Sequence, residues 1–283
     1  MANLTLLVLL AVAILVAAAF LFVSRIISLP PQGRAIDYIN SKSKKNQRII
    51  ACIGDSLTHG NIGQSWVDYL RQEFPNDVFL NEGINGNTAW QVIQRLDPIL
   101  QCQPDLIILL IGTNDALGSF DINSGLRYKK NNELPEVPTL EKYKEHLNEL
   151  IEKIGIQSKF VICTLPPIGE NVNSEVNKHV NLFNDYIKLI ANQKNLSLLT
   201  VSDALWSEIN SRTYPIKLDF NSKAMPLMLK RILGGIFHHY LFKKSWNDIS
   251  RAKGQWILFD QIHLNERGAE IVYKLAKDYI SKA

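Results

Sequence analysis

The run Leu106-Ile107-Ile108-Leu109-Leu110-Ile111 contains no polar residue and no alternation. Bounded by Pro104-Asp105 and Gly112-Thr113, it is too short for a core helix and reads as a strand covered on both faces. Strands of that kind belong to parallel sheets sandwiched between helices. The neighbouring sequence obeys the same demand. Candidate strands Arg48–Ile53, Val78–Asn81, Lys159–Cys163 and Leu196–Val201 alternate with helical patterns over Ser65–Phe74, Ala89–Leu100, Leu140–Ile154 and Ser174–Gln193. A last helix follows Asn265, a suitable N-cap, and presents Ile271, Val272, Leu275, Ala276 and Ile280 on one face. The expected architecture is three-layer α/β/α with a mostly parallel five-stranded sheet and a binding crevice at the carboxyl ends of its strands.

The chain begins with a different kind of apolar run. From Leu4 to Val23 every residue except Thr5 is apolar, about the length a helix needs to cross a bilayer. A cleavable signal peptide is the rival, because Ala17-Ala18-Ala19 offers small residues for cleavage. No Lys or Arg precedes the run, however, and Phe20-Leu21-Phe22-Val23 extend it past the alanines, so a retained anchor is expected. The flanking charges Arg25, Arg34, Lys42, Lys44, Lys45 and Arg48 all follow it, which by the positive-inside rule places the body of the chain in the cytoplasm. The expected division is an anchor over 1–23, a linker over 24–47 and a globular domain over 48–283. A polar, turn-rich insertion near 118–138 and a second insertion near 205–255 would hang over the crevice as loops.

A formal net charge of +4, with both signs spread along the chain, gives no footprint for nucleic acid. Cys52, Cys102 and Cys163 cannot all pair, and two of them lie in apolar runs. They read as core residues in a reducing compartment.

Four short motifs sit where the strands should end. Gly54-Asp55-Ser56-Leu57 follows the first strand, and its Ser between glycines can expose a hydroxyl on a strand-to-helix turn or merely cap a helix. Asn81 to Thr88 follows the second and carries Gly83 and Gly86, which let a peptide N–H approach a ligand or simply make a turn. Gly112-Thr113-Asn114-Asp115 ends the buried strand; the Asn amide can donate across the crevice or brace its own turn. Asp260-Gln261-Ile262-His263 precedes the last helix. Three-residue spacing lets the carboxylate hold Nδ1 while Nε2 faces a nucleophile, although a structural hydrogen bond needs the same spacing. His59 has no supporting carboxylate and reads as a turn residue or pocket wall, and His238-His239 lack metal-ligand spacing. No phosphate loop with a Lys appears, so a nucleotide binder is disfavoured.

In their order and placement these motifs resemble the SGNH, or GDSL, hydrolase family of esterases and lipases, over roughly Arg48 to the C-terminus. The resemblance implies a flavodoxin-like sheet and a serine ester hydrolase. Ser56 would be the nucleophile, His263 the acid–base and Asp260 its orienting partner. The oxyanion hole would comprise the N–H of Ser56, the N–H of Gly86 and the amide of Asn114. No metal or organic cofactor is implied. Lipid, lysophospholipid or thioester acyl substrates suit the machinery, and so does an O-acetylated carbohydrate. A membrane-anchored binding protein without turnover is the alternative from another class.

Met225 to Lys244 is the most distinctive stretch outside the motifs. Met225, Met228, Leu229, Ile232, Leu233, Ile236, Phe237, Tyr240 and Leu241 recur at helical spacing, while Lys230, Arg231, His238, Lys243 and Lys244 populate the remainder. Such a helix can lie in a membrane interface or pack on the domain with a solvated basic face. Gly234-Gly235 would weaken it or give it a hinge.

Overall fold

A computed structural model describes residues 2–41, 47–155, 158–217, 219–221 and 225–283. Lys42, Lys44 and Lys45, half of the positive flank of the apolar run, lie outside them. The chain opens with α1 (Ala2–Ser28) and α2 (Ala35–Asn40), then enters the sheet through β1 (Ile49–Gly54). There follow α3 (Ser56–His59), α4 (Trp66–Glu73), β2 (Val78–Gly83), α5 (Ala89–Gln94), α6 (Leu96–Gln101), β3 (Leu106–Leu110), α7 (Thr113–Ser119) and α8 (Ile122–Asn131). The second half runs α9 (Leu140–Gly155), β4 (Lys159–Cys163), α10 (Glu175–Gln193), β5 (Ser197–Leu199), α11 (Val201–Asn210), α12 (Met225–Phe242), α13 (Trp246–Ala252) and α14 (Glu266–Ile280).

The five strands pair in the order β2-β1-β3-β4-β5, every neighbour parallel. Successive side chains of a strand point to opposite faces, and here each face has its own core. Ala51, Ile53, Ile107 and Leu109 pack with α5, α9 and α10 through Val92, Leu147 and Phe183. Ile50, Cys52, Ile108 and Leu110 pack with α4, α11 and α14 through Trp66, Leu205 and Val272. The result is the three-layer α/β/α sandwich that the apolar run in β3 demanded.

Three stretches depart from the expected elements. The helix expected over Ala89–Leu100 breaks at Arg95, which leaves helical geometry (φ −125°, ψ 18°). Its guanidinium turns inward to the carbonyls of Gly54 (3.0 Å) and Glu82 (2.9 Å). The insertion near 118–138 is not a loop but holds α8, whose first turn is capped by Asp121 accepting from the Ser124 N–H at 2.9 Å. Its polar composition hid that cap. The second insertion, near 205–255, contains the end of α11 and all of α12 and α13.

Among the described residues, Leu4–Ser28 is the one helix long and apolar enough to cross a membrane, features that a signal sequence shares. Its early residues have no protein around them: Leu4 and Leu15 are each 69% exposed. Its last two turns differ. Val23 is buried with Ile62, Ile236, Trp246, Ile249 and Phe259 in a third cluster, against which Phe22, Ile26 and Ile27 pack. Beyond α1, Ala35 is buried, its N–H donating to Glu82 Oε1 at 2.7 Å, and Arg34 pairs with the same carboxylate.

Candidate active site

Because β1 lies between β2 and β3, the motifs that follow these three strands emerge side by side, Gly54 pairing with Gly83 on one edge and Leu110 on the other. Asp55 caps α3, its Oδ1 accepting from the Leu57 N–H at 2.9 Å. Ser56 is therefore the first residue of a helix, where a backbone N–H has no helical acceptor. The second loop is a turn closed by Asn87 N–H donating to Ile84 O at 3.1 Å. Gly86 occupies its third position with φ +78°, a conformation that a side chain would oppose.

The Asp260–His263 loop approaches from the other end of the chain. His263 Nε2 lies 2.9 Å from Ser56 Oγ, and His263 Nδ1 lies 2.7 Å from Asp260 Oδ2. The other oxygen of Asp260 accepts from the N–H groups of Ile262 (3.0 Å) and His263 (2.8 Å). Burial alone would raise the Asp260 carboxyl, but the facing His263 and these hydrogen bonds outweigh it and hold it below its ordinary value. Between them Gln261 adopts φ +85°, uncommon for a side-chain-bearing residue, and is tied by Gly169 N–H to its carbonyl and by its own amide to Asp219 O. Upstream, the Glu170 carboxylate accepts from Trp256, Ile257 and Leu258 N–H at 2.7–2.9 Å, bracing the approach to Asp260. Burial nonetheless raises the Glu170 carboxyl. The Phe259 ring stacks on the His263 ring at 6.0 Å, and Gly235 of α12 packs directly onto Phe259. A Cβ at Gly235 would come 2.6 Å from that ring, so the paired glycines of α12 include a contact point rather than the expected hinge.

Asn114 is held differently. Its Nδ2 donates to Asn87 O (3.0 Å) and to Asp55 Oδ2 (3.2 Å), and its Oδ1 accepts from the Tyr128 hydroxyl (2.8 Å). Tyr128 comes from α8, its ring against Gly118, where a Cβ would stand 3.2 Å from it. Burial pushes Asp55 up to about 6 and Asp115 up to about 7, against the hydrogen bonds that Leu57 N–H and Ala89 N–H donate to them.

Ser56, Asp260, His263 and Asn114 are thus brought to one end of the sheet, each at most 7% exposed, with the Gly86 turn beside them. His59 is buried one turn along α3, its imidazole lowered to about 4 by burial, and it does not face Asp260. His238 and His239 bond through Nδ1 to the carbonyls of Gly234 and Lys244. Sequence reasoning missed Arg95, Tyr128, Glu170 and Phe259. Only Arg95 left a trace, a charge beside the apolar side of a helical pattern; Tyr128 and Glu170 act through contacts 14 and 88 residues away, and Phe259 through a ring stack that no motif marks.

The sheet order defines a three-layer α/β/α fold with Ser56, Asn114, Asp260 and His263 gathered at the carboxyl edge of its strands. Residues 52–271 match the GDSL-like Lipase/Acylhydrolase family, and the chain belongs to that family of carboxylic ester hydrolases. Among solved structures it is similar to an acetylxylan esterase from Geobacillus stearothermophilus, with 18% identity, a TM-score of 0.58 and coverage of 83% of this chain and 95% of that one. The acetyl xylan esterase AlAXEase is similar at 18% identity and a TM-score of 0.54, over 82% of this chain and 99% of that one. LAE5, an alpha/beta hydrolase enzyme from the metagenome of Lake Arreo, shares 17% identity at a TM-score of 0.54, over 82% of this chain and 94% of that one. At such identities the likeness is one of fold. An uncharacterized protein of Mycoplasma pneumoniae is 29% identical over 177 residues, 57% of this chain, which spans only 18% of that protein's length.

Proposed function

We propose that this chain is a membrane-tethered serine ester hydrolase in which Ser56 attacks the ester carbonyl. The observation that carries this reading is the pair of short contacts through one imidazole, Nε2 to Ser56 Oγ at 2.9 Å and Nδ1 to Asp260 Oδ2 at 2.7 Å. His263 takes the Ser56 proton as the Oγ–carbonyl bond forms, and Asp260 stabilises the resulting imidazolium. The oxyanion accepts from the N–H of Ser56, the N–H of Gly86 and Asn114 Nδ2. Collapse of the tetrahedral adduct expels the alcohol, which His263 protonates, and water then releases the acid by the same steps in reverse. For Asn114 to donate to the oxyanion it exchanges its longer bond, the one to Asp55 at 3.2 Å.

Retention of α1 as an anchor is supported by its last turns. Val23 belongs to a buried cluster shared with α12, and a leader lost by cleavage would leave that cluster open. The positive flank of α1 favours the cytoplasmic side for the domain. α12 runs beside α1, and the two enclose an apolar groove of about 500 Å³ lined by Val16, Phe20, Val23, Leu229 and Leu233. Leu229, Leu241 and Phe242 are exposed beside Lys230, Arg231, Lys243 and Lys244, a pattern suited to an interface with anionic headgroups. These features favour a lipid-like acyl ester as substrate. A second reading, an O-acetylated carbohydrate, draws on the acetylxylan esterases among the similar folds.

One experiment separates them. The full-length protein in lipid nanodiscs is given p-nitrophenyl esters from acetate to palmitate. kcat/KM rising with chain length supports the acyl-lipid reading, a maximum at acetate supports the carbohydrate reading, and no hydrolysis of any ester refutes both.

A further inference from the structure

The last turn of α1 is capped by the loops of the active site. A helix ending at Ser28 runs short of backbone donors in its last turn, where Leu29 N–H serves Arg25 O at 3.1 Å and reaches Ile26 O only at 3.4 Å, and partial negative charge collects there. Asn61, just beyond the Ser56 turn, donates through Nδ2 to Ile26 O (2.9 Å) and Ile27 O (3.1 Å). Asn85, in the Gly86 turn, donates through Nδ2 to Ile27 O (3.1 Å) and to Asn61 Oδ1 (3.1 Å). The Tyr240 hydroxyl of α12 closes the knot by donating to Asn61 O at 3.0 Å. Two loops that supply different parts of the site are therefore joined to each other and to the anchor at one carbonyl, Ile27 O.

The consequence lies in the turn itself. Ile84–Asn87 is a four-residue turn with Gly86 at φ +78° in its third position, while Asn85 is not among the residues of positive φ. That combination is type II. Type I and type II turns differ by a flip of the central peptide, here the one joining Asn85 C=O to Gly86 N–H, and glycine tolerates both. The two groups lie in one rigid plane, and the side-chain bonds of Asn85 hold the Cα at one end of it, restricting the flip that would turn the Gly86 N–H away.

We infer that Asn85 and Asn61 are positioning residues through which the docked end of α1 holds the Gly86 peptide in its working orientation. The anchor is then a component of the oxyanion site as well as a tether. This rests on the assignment of Ser56 as nucleophile and of Gly86 N–H as an oxyanion donor.

The test uses the full-length protein in nanodiscs and p-nitrophenyl acetate, a soluble ester that needs no bilayer for delivery. Active sites are counted by fluorophosphonate labelling. Asn85→Ala is expected to lower kcat per labelled site about tenfold, with KM changed less than about twofold, as a displaced catalytic group does. Asn61→Ala, which leaves the turn's own residues intact, is expected to lower it several-fold. The double variant should fall no further than Asn85→Ala alone, since both substitutions undo one knot. Unchanged kcat per labelled site in both single variants overturns the inference, as does a loss of activity fully accounted for by fewer labelled sites. If the wild-type protein neither labels nor hydrolyses, the Ser56 assignment fails instead.

Discussion

The proton-transfer half of the candidate site and its amide half are held in contrasting ways. Asp260 and His263 are neighbours in sequence, bonded within one loop, and Nε2 already meets Ser56 Oγ at 2.9 Å. Nothing needs to be exchanged before a proton moves. Asn114 has both amide hydrogens engaged by the protein and its oxygen engaged by Tyr128 of a separate helix. In the proposed mechanism the first half is poised in the free protein, whereas the second trades a partner when substrate arrives. Preorganisation within one site can therefore be uneven, and its weaker half is where distant residues have most influence.

The largest expected effect tests the poised half. Ser56→Ala should abolish fluorophosphonate labelling and lower kcat by about 10⁴-fold or more with the circular dichroism spectrum unchanged. A folded, labelled, active variant would remove the basis of the contrast. Next comes the donor of the amide half. Asn114→Ala is expected to reduce kcat by about a hundred- to a thousandfold with a smaller change in KM, because its contribution is made in the transition state. An unaltered kcat would show that Asn114 serves only its turn. Tyr128→Phe removes a single bond to the Asn114 oxygen. A hydrogen bond worth about 0.5–1.5 kcal/mol corresponds to a loss of up to about tenfold in kcat. Steady-state kinetics that found Tyr128→Phe as damaging as Asn114→Ala would mean that α8 builds the hole rather than steadying it.

The smallest effect concerns stability. Burial holds the Asp115 proton up to about pH 7 in the folded protein, whereas the unfolded chain releases it near the ordinary value of 3.8. Between those values the folded state binds more protons, so stability is greatest at low pH and declines as pH rises toward 7. Asp55 adds the same trend up to about 6. His59 opposes it, because the unfolded chain takes up a proton near 6.5 and the folded state only near 4. Comparing melting temperatures of wild type and Asp115→Asn across pH 4 to 7.5 isolates the carboxyl. The variant should lose less stability on going up in pH, and parallel curves would refute the assignment.

These contrasts also explain what the sequence disclosed. All five strands, and the positions of Ser56, Asn114, Asp260 and His263 at one end of the sheet, were legible because each depends on local pattern: an apolar run, a glycine turn, a three-residue spacing. Asn265 as the cap of α14 was legible for the same reason, and it accepts from Gly268 N–H at 3.0 Å. What was hidden depends on encounters between distant segments. α8 looked like a loop because its cap and buried glycine sit in a polar stretch, and nothing in Tyr128 announces its hydroxyl against Asn114. Gly235 read as a weakness in α12 because the Phe259 ring it admits is 24 positions away.

Ser56 and His263 are separated by 207 positions. A ribosome therefore releases the hydroxyl long before its base. Throughout that interval the growing polypeptide lacks the imidazole that the proposed mechanism requires. On the proposed mechanism, an ester that meets the nascent chain in that interval meets a serine without its base.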